Sequence, residues 1–141
     1  MKLFFDTSVL VPIFFDDHIH HEASFAAFRS ASRTHSGCAA HSLAEVYSTV
    51  TRMPGKYHAR AEEAMLLLES LREKLSLVAL NEAEYWAALK QCSENGTMGG
   101  AVYDWLTARC ALKAQAEVLY TWNLAHFTRL GNDVAKRVRT P

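Results

Sequence analysis

The chain has 141 residues, half of them hydrophobic, which suits one domain with a buried core and is too apolar for a disordered segment. Fifteen basic residues balance fifteen acidic ones, so no overall field draws the protein to nucleic acid or anionic lipid, and any polyanion must be bound locally. Cys38, Cys92 and Cys110 are odd in number and far apart in apolar surroundings, which argues against a disulfide framework or a cysteine zinc site and fits the reduced thiols of a cytoplasmic protein.

Short apolar runs alternate with longer helical patterns, the mark of a parallel sheet covered by helices. Leu3-Phe4-Phe5 is the first strand; Asp6 interrupts the apolar start, so the segment reads as a strand and a helix rather than a signal sequence. Thr7 or Ser8 can cap a helix running to Phe15, with Pro12 tolerable only near its first turn. Glu22 to Ser32 forms the next helix, and Gly37 to Ala40 a short strand. His41-Ser42 starts a helix with Leu43, Val46, Tyr47 and Val50 as its apolar stripe, ending before Met53-Pro54-Gly55. A helix from about His58 to Arg72 follows, then a strand at Leu77 to Leu80, then Asn81 as a cap with Glu84 closing a capping box. After the Asn95 to Gly100 loop come a helix from Ala101 to Ala114, a strand at Glu117 to Tyr120, and a final helix capped by Asn123. No apolar stretch is long enough to span a bilayer, and no membrane partner is expected.

Four polar side chains sit where apolar segments end or turn: Asp6, Glu45, Asp104 and Asn123. In open parallel sheets ligands bind beyond the carboxyl ends of the strands, so all four can face one crevice. Asp6 is the only charged residue between Leu3 and Phe15, and reads as a compensated functional acid or as a helix cap. Arg109 lies about 140° and Lys113 about 180° around the helix from Asp104, which places Asp104 away from the solvent face, for a site or for a bond to a neighbouring backbone end. Glu45, between Leu43 and Val46, suits a groove edge or an exposed surface. Together, carboxylates and an amide are the hard oxygen ligands that Mg2+ or Mn2+ accepts, with water completing the shell. Such a cation polarises a phosphodiester and activates a water, which is the chemistry of phosphodiester hydrolysis.

The segments DTSVL after the first strand, SLAEVYSTVTRMPG, and GGAVYDWLTARCALKAQAEVLYTWNLAHF resemble the PIN-domain family, and within it the VapC-like toxins of bacterial toxin-antitoxin pairs, over nearly the whole chain. The resemblance implies an α/β three-layer sandwich over residues 1–141, with a mainly parallel twisted sheet of four to five short strands and helices on both faces. It also implies a Mg2+- or Mn2+-dependent endoribonuclease acting on RNA, a homodimer or higher assembly, and inhibition by a cognate antitoxin. Carried across, Asp6, Glu45 and Asp104 are the acidic catalytic residues, Asp6 and Asp104 binding metal directly and Glu45 through water. Asn123 stands where many relatives have a fourth acid. An amide lacks the charge to hold a second cation, so one strong metal site is expected and a second is weak or absent.

Thr7, Thr121 and His126 are placed around that site: the Thr121 hydroxyl to bond a carboxylate or a bound water, or as a strand-end residue, and His126 as a phosphate partner or a helix-edge histidine. Arg52, Lys56 and Arg60 gather with His58 around Met53-Pro54-Gly55 as RNA-contact candidates or as a solvated loop; Arg109 and Lys113 are a second such patch. His18, His20 and His21, beside Asp16 and Asp17, lack any recurring ligand spacing and read as a solvated turn rather than a zinc site. Trp86, Trp105 and Trp122 are expected in the core or an interface, with Tyr103 and Trp105 flanking Asp104. Two other classes compete. A catalytically weak RNA-binding or partner-sequestering module keeps the fold without turnover, and a phospho-acceptor receiver shares the alternation but needs an acid where Asn81 stands.

Overall fold

The computed structural model describes residues 1–141. The chain runs β1 (Leu3–Phe5), α1 (Thr7–Leu10), α2 (His21–Arg29), β2 (Ser36–Ala39), α3 (Ala40–Arg52), α4 (Ala61–Lys74), β3 (Ser76–Val78), α5 (Glu82–Asn95), α6 (Ala101–Lys113), β4 (Val118–Tyr120), α7 (Leu124–Thr128), α8 (Asn132–Ala135) and β5 (Val138–Arg139), with 3-10 turns at Val11–Phe14 and Gly55–Tyr57. All neighbouring strands are parallel, in the order β3-β2-β1-β4-β5. Leu3 faces Ser36 on one side and Val118 on the other, so β1 is the centre of the sheet.

Side chains alternate across the pleat, and the two faces bury different clusters. Phe5 and Cys38 pack under Val46 and Val50 of α3 and Ala64, Leu68 and Leu71 of α4. Phe4, Ala39 and Leu119 pack on the opposite face under Ala108 and Ala111 of α6, Phe127 of α7 and Val134 of α8. The result is the three-layer α/β sandwich with helices on both faces. From β1 the chain builds outward to β2 and β3, then crosses to the far side of β1 for β4 and β5. The reversal leaves a crevice between the carboxyl ends of β1 and β4, where no connection passes overhead.

Local chemistry accounts for most element ends. Asn81 accepts from the Glu84 N–H at 2.8 Å while Glu84 accepts from the Asn81 N–H at 2.8 Å, the expected capping box. Gly96 closes α5 in the left-handed region at φ 70°, where a side chain would be strained. Three expectations are corrected. The helix expected to reach Phe15 stops at Leu10 and tightens into the 3-10 turn Val11–Phe14, because Pro12 has no N–H to continue an α-helical ladder. Its cap is Asp6, not Thr7 or Ser8. After Asn123 the chain forms two short helices and a fifth strand instead of one helix, and Asn123 makes no side-chain capping bond.

Candidate active site

β1 delivers Asp6 at its carboxyl end, where the residue is 5% exposed. All the hydrogen bonds to its side chain fall on one oxygen: Oδ2 accepts from the Ser8 hydroxyl at 2.7 Å, the Thr121 hydroxyl at 2.9 Å and the Ser8 N–H at 3.4 Å. The carboxylate is thereby fixed in orientation, and Oδ1 is left to an incoming ligand. Thr121, at the end of β4 and fully buried, links the two strand ends: its hydroxyl donates to Asp6 and accepts from the Asn123 N–H at 2.9 Å.

Helices α3 and α6 bring the other acids to the same cleft. Glu45 Oε1 accepts from the Thr7 hydroxyl at 3.2 Å and lies 3.6 Å from His41 Nε2, one turn back on α3. Burial, with the negative charges of Asp6 and Asp104 adding to it, pushes the Glu45 carboxyl above its ordinary value. Asp104, half-buried in the first turn of α6, is also pushed up by burial and by Asp6, against the opposing pull of His126 and Arg129. His126 Nδ1 lies 3.6 Å from Asp104 Oδ2. Asp6, Thr7, Ser8, Glu45, Thr49, Asp104 and Asn123 line one cleft of about 470 Å3.

A hard divalent cation fits this donor set. Burial first, and the like charge of Asp6 after it, push the Glu45 and Asp104 carboxyls up, and a nearby cation would favour their ionised forms. No group of three His, Cys, Asp or Glu side chains converges closely enough to enclose an ion alone.

Of the residues singled out in the sequence, Asp6, Thr7, Glu45, Asp104 and Asn123 line the cleft, Thr121 lies beneath it and His126 beside it. Arg52, Lys56 and Arg60 do not line it. Lys56 pairs with Asp17 at 3.2 Å and Arg60 with Glu63 at 3.0 Å, both at exposed positions. Lys113 likewise bonds Glu84 at 2.6 Å and the Ala79 carbonyl at 2.8 Å, and Arg109 lies over the Trp105 ring. The turn exposes Asp16, Asp17 and Ile19, as expected of a solvated turn, while the partly buried His18 and His20 line the cleft with Trp122. His41 went unnoticed as a site residue, though its i,i+4 spacing from Glu45 on one helix is a legible signal. Its Nε2 also lies 3.0 Å from the Thr107 hydroxyl on α6, which ties the two acid-bearing helices together, and burial pushes its pKa down.

The PIN domain profile matches residues 3–131. The chain belongs to the PIN-domain family. It is 36% identical to the ribonuclease VapC27 of Mycobacterium tuberculosis over 114 residues, covering 80% of this chain and 79% of the relative. It is 31% identical to the ribonuclease VapC40 of the same species, covering 81% of each. Among solved structures, the sarcin-ricin loop cleaving toxin VapC20 of M. tuberculosis superposes with a TM-score of 0.73 at 13% identity, over 94% of this chain and 98% of that one. VapBC2 of Rickettsia felis, bound to a promoter DNA fragment, gives 0.69 at 17% identity over 99% and 98%. This PIN domain is thus VapC-like in sequence and in fold.

Proposed function

We propose that this PIN domain is a toxin ribonuclease of the VapC type, a Mg2+- or Mn2+-dependent endoribonuclease with one strong metal site. The observation that carries the reading is the convergence of Asp6, Glu45 and Asp104, from β1, α3 and α6, on one cleft at the sheet's switch point. The ribonuclease names of its relatives support the reaction class. A bound cation would supply charge neutralisation and polarisation of the scissile phosphodiester and of an attacking water. Asp6, through Oδ1, and Asp104 would hold it directly, with Glu45 acting through water and Asn123 orienting rather than charging the site. Ser8 and Thr121 keep Asp6 in place, Thr7 and His41 keep Glu45 in place, and His126 sits against Asp104.

A cognate antitoxin and a homodimer or larger toxin-antitoxin assembly complete the reading, supported by fold neighbours solved as VapBC assemblies. Copurification of the chain with the product of a small neighbouring gene, and the mass of that complex in solution, tests the proposed assembly.

Incubation of the purified chain with labelled RNA in Mg2+ or Mn2+ tests the activity. Cleavage is expected, with a loss of roughly 100-fold or more in Asp6→Asn and Asp104→Asn while the far-UV spectrum stays native. Full activity in both variants would overturn the assignment, and tight RNA retention without cleavage in either metal would mark a binding module instead.

A further inference from the structure

The Phe15 to His21 connection carries a histidine cluster that the metal site does not use. His21 turns away, its Nδ1 lying 2.8 Å from the Pro12 carbonyl, but His18 and His20 both line the acidic cleft. We propose that His18 and His20, braced by Trp122, bind an RNA phosphate beside the scissile bond; this rests on the ribonuclease reading of the same cleft.

Charge is the first support. The cleft is lined by Asp6, Glu45 and Asp104, and its lining holds no lysine or arginine. His18 and His20 bring ring N–H donors to that lining. A cation held by the acids can neutralise the reacting phosphate, but the next phosphate along a single strand meets a wall that must supply donors of its own.

Orientation is the second. The His20 N–H donates to His18 Nδ1 at 3.0 Å, which puts the proton of neutral His18 on Nε2 and makes that nitrogen a donor. His20 lies flat on the Trp122 indole, with ring centroids 3.7 Å apart and planes 10° from parallel. Trp122 is itself clamped: its indole N–H donates to the Ser24 hydroxyl at 2.9 Å and its backbone N–H to the Ser8 hydroxyl at 3.0 Å. That same Ser8 hydroxyl donates to Asp6, so the histidine wall and the carboxylate floor share one rigid hydrogen-bonded frame. Such preorganisation lowers the entropy lost when a substrate is held.

The test separates binding from chemistry. His18→Phe and His20→Phe keep the rings and lose the N–H donors; His20→Ala loses the stack as well. Steady-state cleavage in Mg2+ and anisotropy titration of a fluorescein-labelled random-sequence single-stranded RNA in Ca2+ are measured for each, with thermal midpoints as a folding control. Expected is an increase of about 5- to 10-fold in KM and in Kd for each phenylalanine variant, with kcat within about 2-fold of the parent. KM and Kd unchanged in both would overturn the proposal, as would a fall in kcat at constant KM. A defect in His20→Ala that His20→Phe repairs would reduce His20 to packing on Trp122 and overturn its role as a donor. Should the parent fail to cleave in Mg2+ or Mn2+, the ribonuclease reading falls, and the Ca2+ titration alone still decides whether the histidines hold RNA.

Discussion

Asp6 shows how one side chain can hold structural bonds and still present a free oxygen. It caps α1 and, through the same Oδ2, receives the Ser8 and Thr121 hydroxyls, so the structural bonds occupy one oxygen and leave the other. The cap that the structure shows and the proposed role as a functional acid are therefore compatible. Thr121→Val removes the donor from β4 while keeping the shape, and leaves Asp6 and the Asn123 N–H each short of a partner. Cleavage is expected to fall about 10-fold, with a stability loss of about 1–2 kcal/mol read from urea unfolding. Glu45 and Asp104 carry a prediction of opposite sign. Their folded pKa values are raised, so the folded state binds protons more readily than the unfolded chain, and stability declines as pH rises from the ordinary carboxylate range through the raised values. The penalty grows as pH rises through the raised values and is absent in acid. Glu45→Gln is accordingly expected to raise the Tm of the metal-free protein at pH 7 by about 1–4 °C, with the gain vanishing near pH 4.

The elements differ in what holds them. β2 is sandwiched between β1 and β3, and a Cβ on Gly37 would stand 2.7 Å from the Ser76 carbonyl oxygen of the adjacent strand and 2.9 Å from Met1 Sδ. Gly37→Ala must push β2 and β3 apart, and a loss of about 1–3 kcal/mol in chemical denaturation is expected. α5 depends more on its ends, through the Asn81–Glu84 box and Gly96. β5 shows the reverse dependence: KRVRT carries no alternating apolar pattern, and its two residues are strand only because Val138 pairs with Leu119 and is buried against α7 and α8. A strand that short is made by its neighbour, which is why periodicity does not reveal it.

For the whole molecule, neutrality of net charge conceals a strong local field. Acids concentrate in the cleft while Lys56, Arg60 and Lys113 are paired elsewhere, so the metal-free site repels a polyanion. A cation that binds the folded state alone must stabilise it, by about 2.7 kcal/mol at a hundred times its Kd. Thermal unfolding in Mg2+ at pH 7 is therefore expected to shift upward for the parent chain and not for Asp6→Asn, a readout independent of any substrate. No helix is long and apolar enough to cross a membrane.

Alternating apolar runs and helical periods determine the α/β class, the capping box at Asn81 and most element positions, because these depend on contacts between near neighbours in the chain. The acids Asp6, Glu45 and Asp104 are legible too, since a charge set in an apolar run stands out and their order resembles a known family. Only the tertiary structure decides that Asp6 is oriented by Thr121 from a strand 115 residues away, that His41 bridges two helices through Thr107, and that His18 and His20 turn toward the acids while Lys56 and Arg60 turn elsewhere. The physical reason is that a side chain's direction and partners are set by which helix packs on which sheet face, and residues far apart in the chain meet only when the strand order β3-β2-β1-β4-β5 closes around β1.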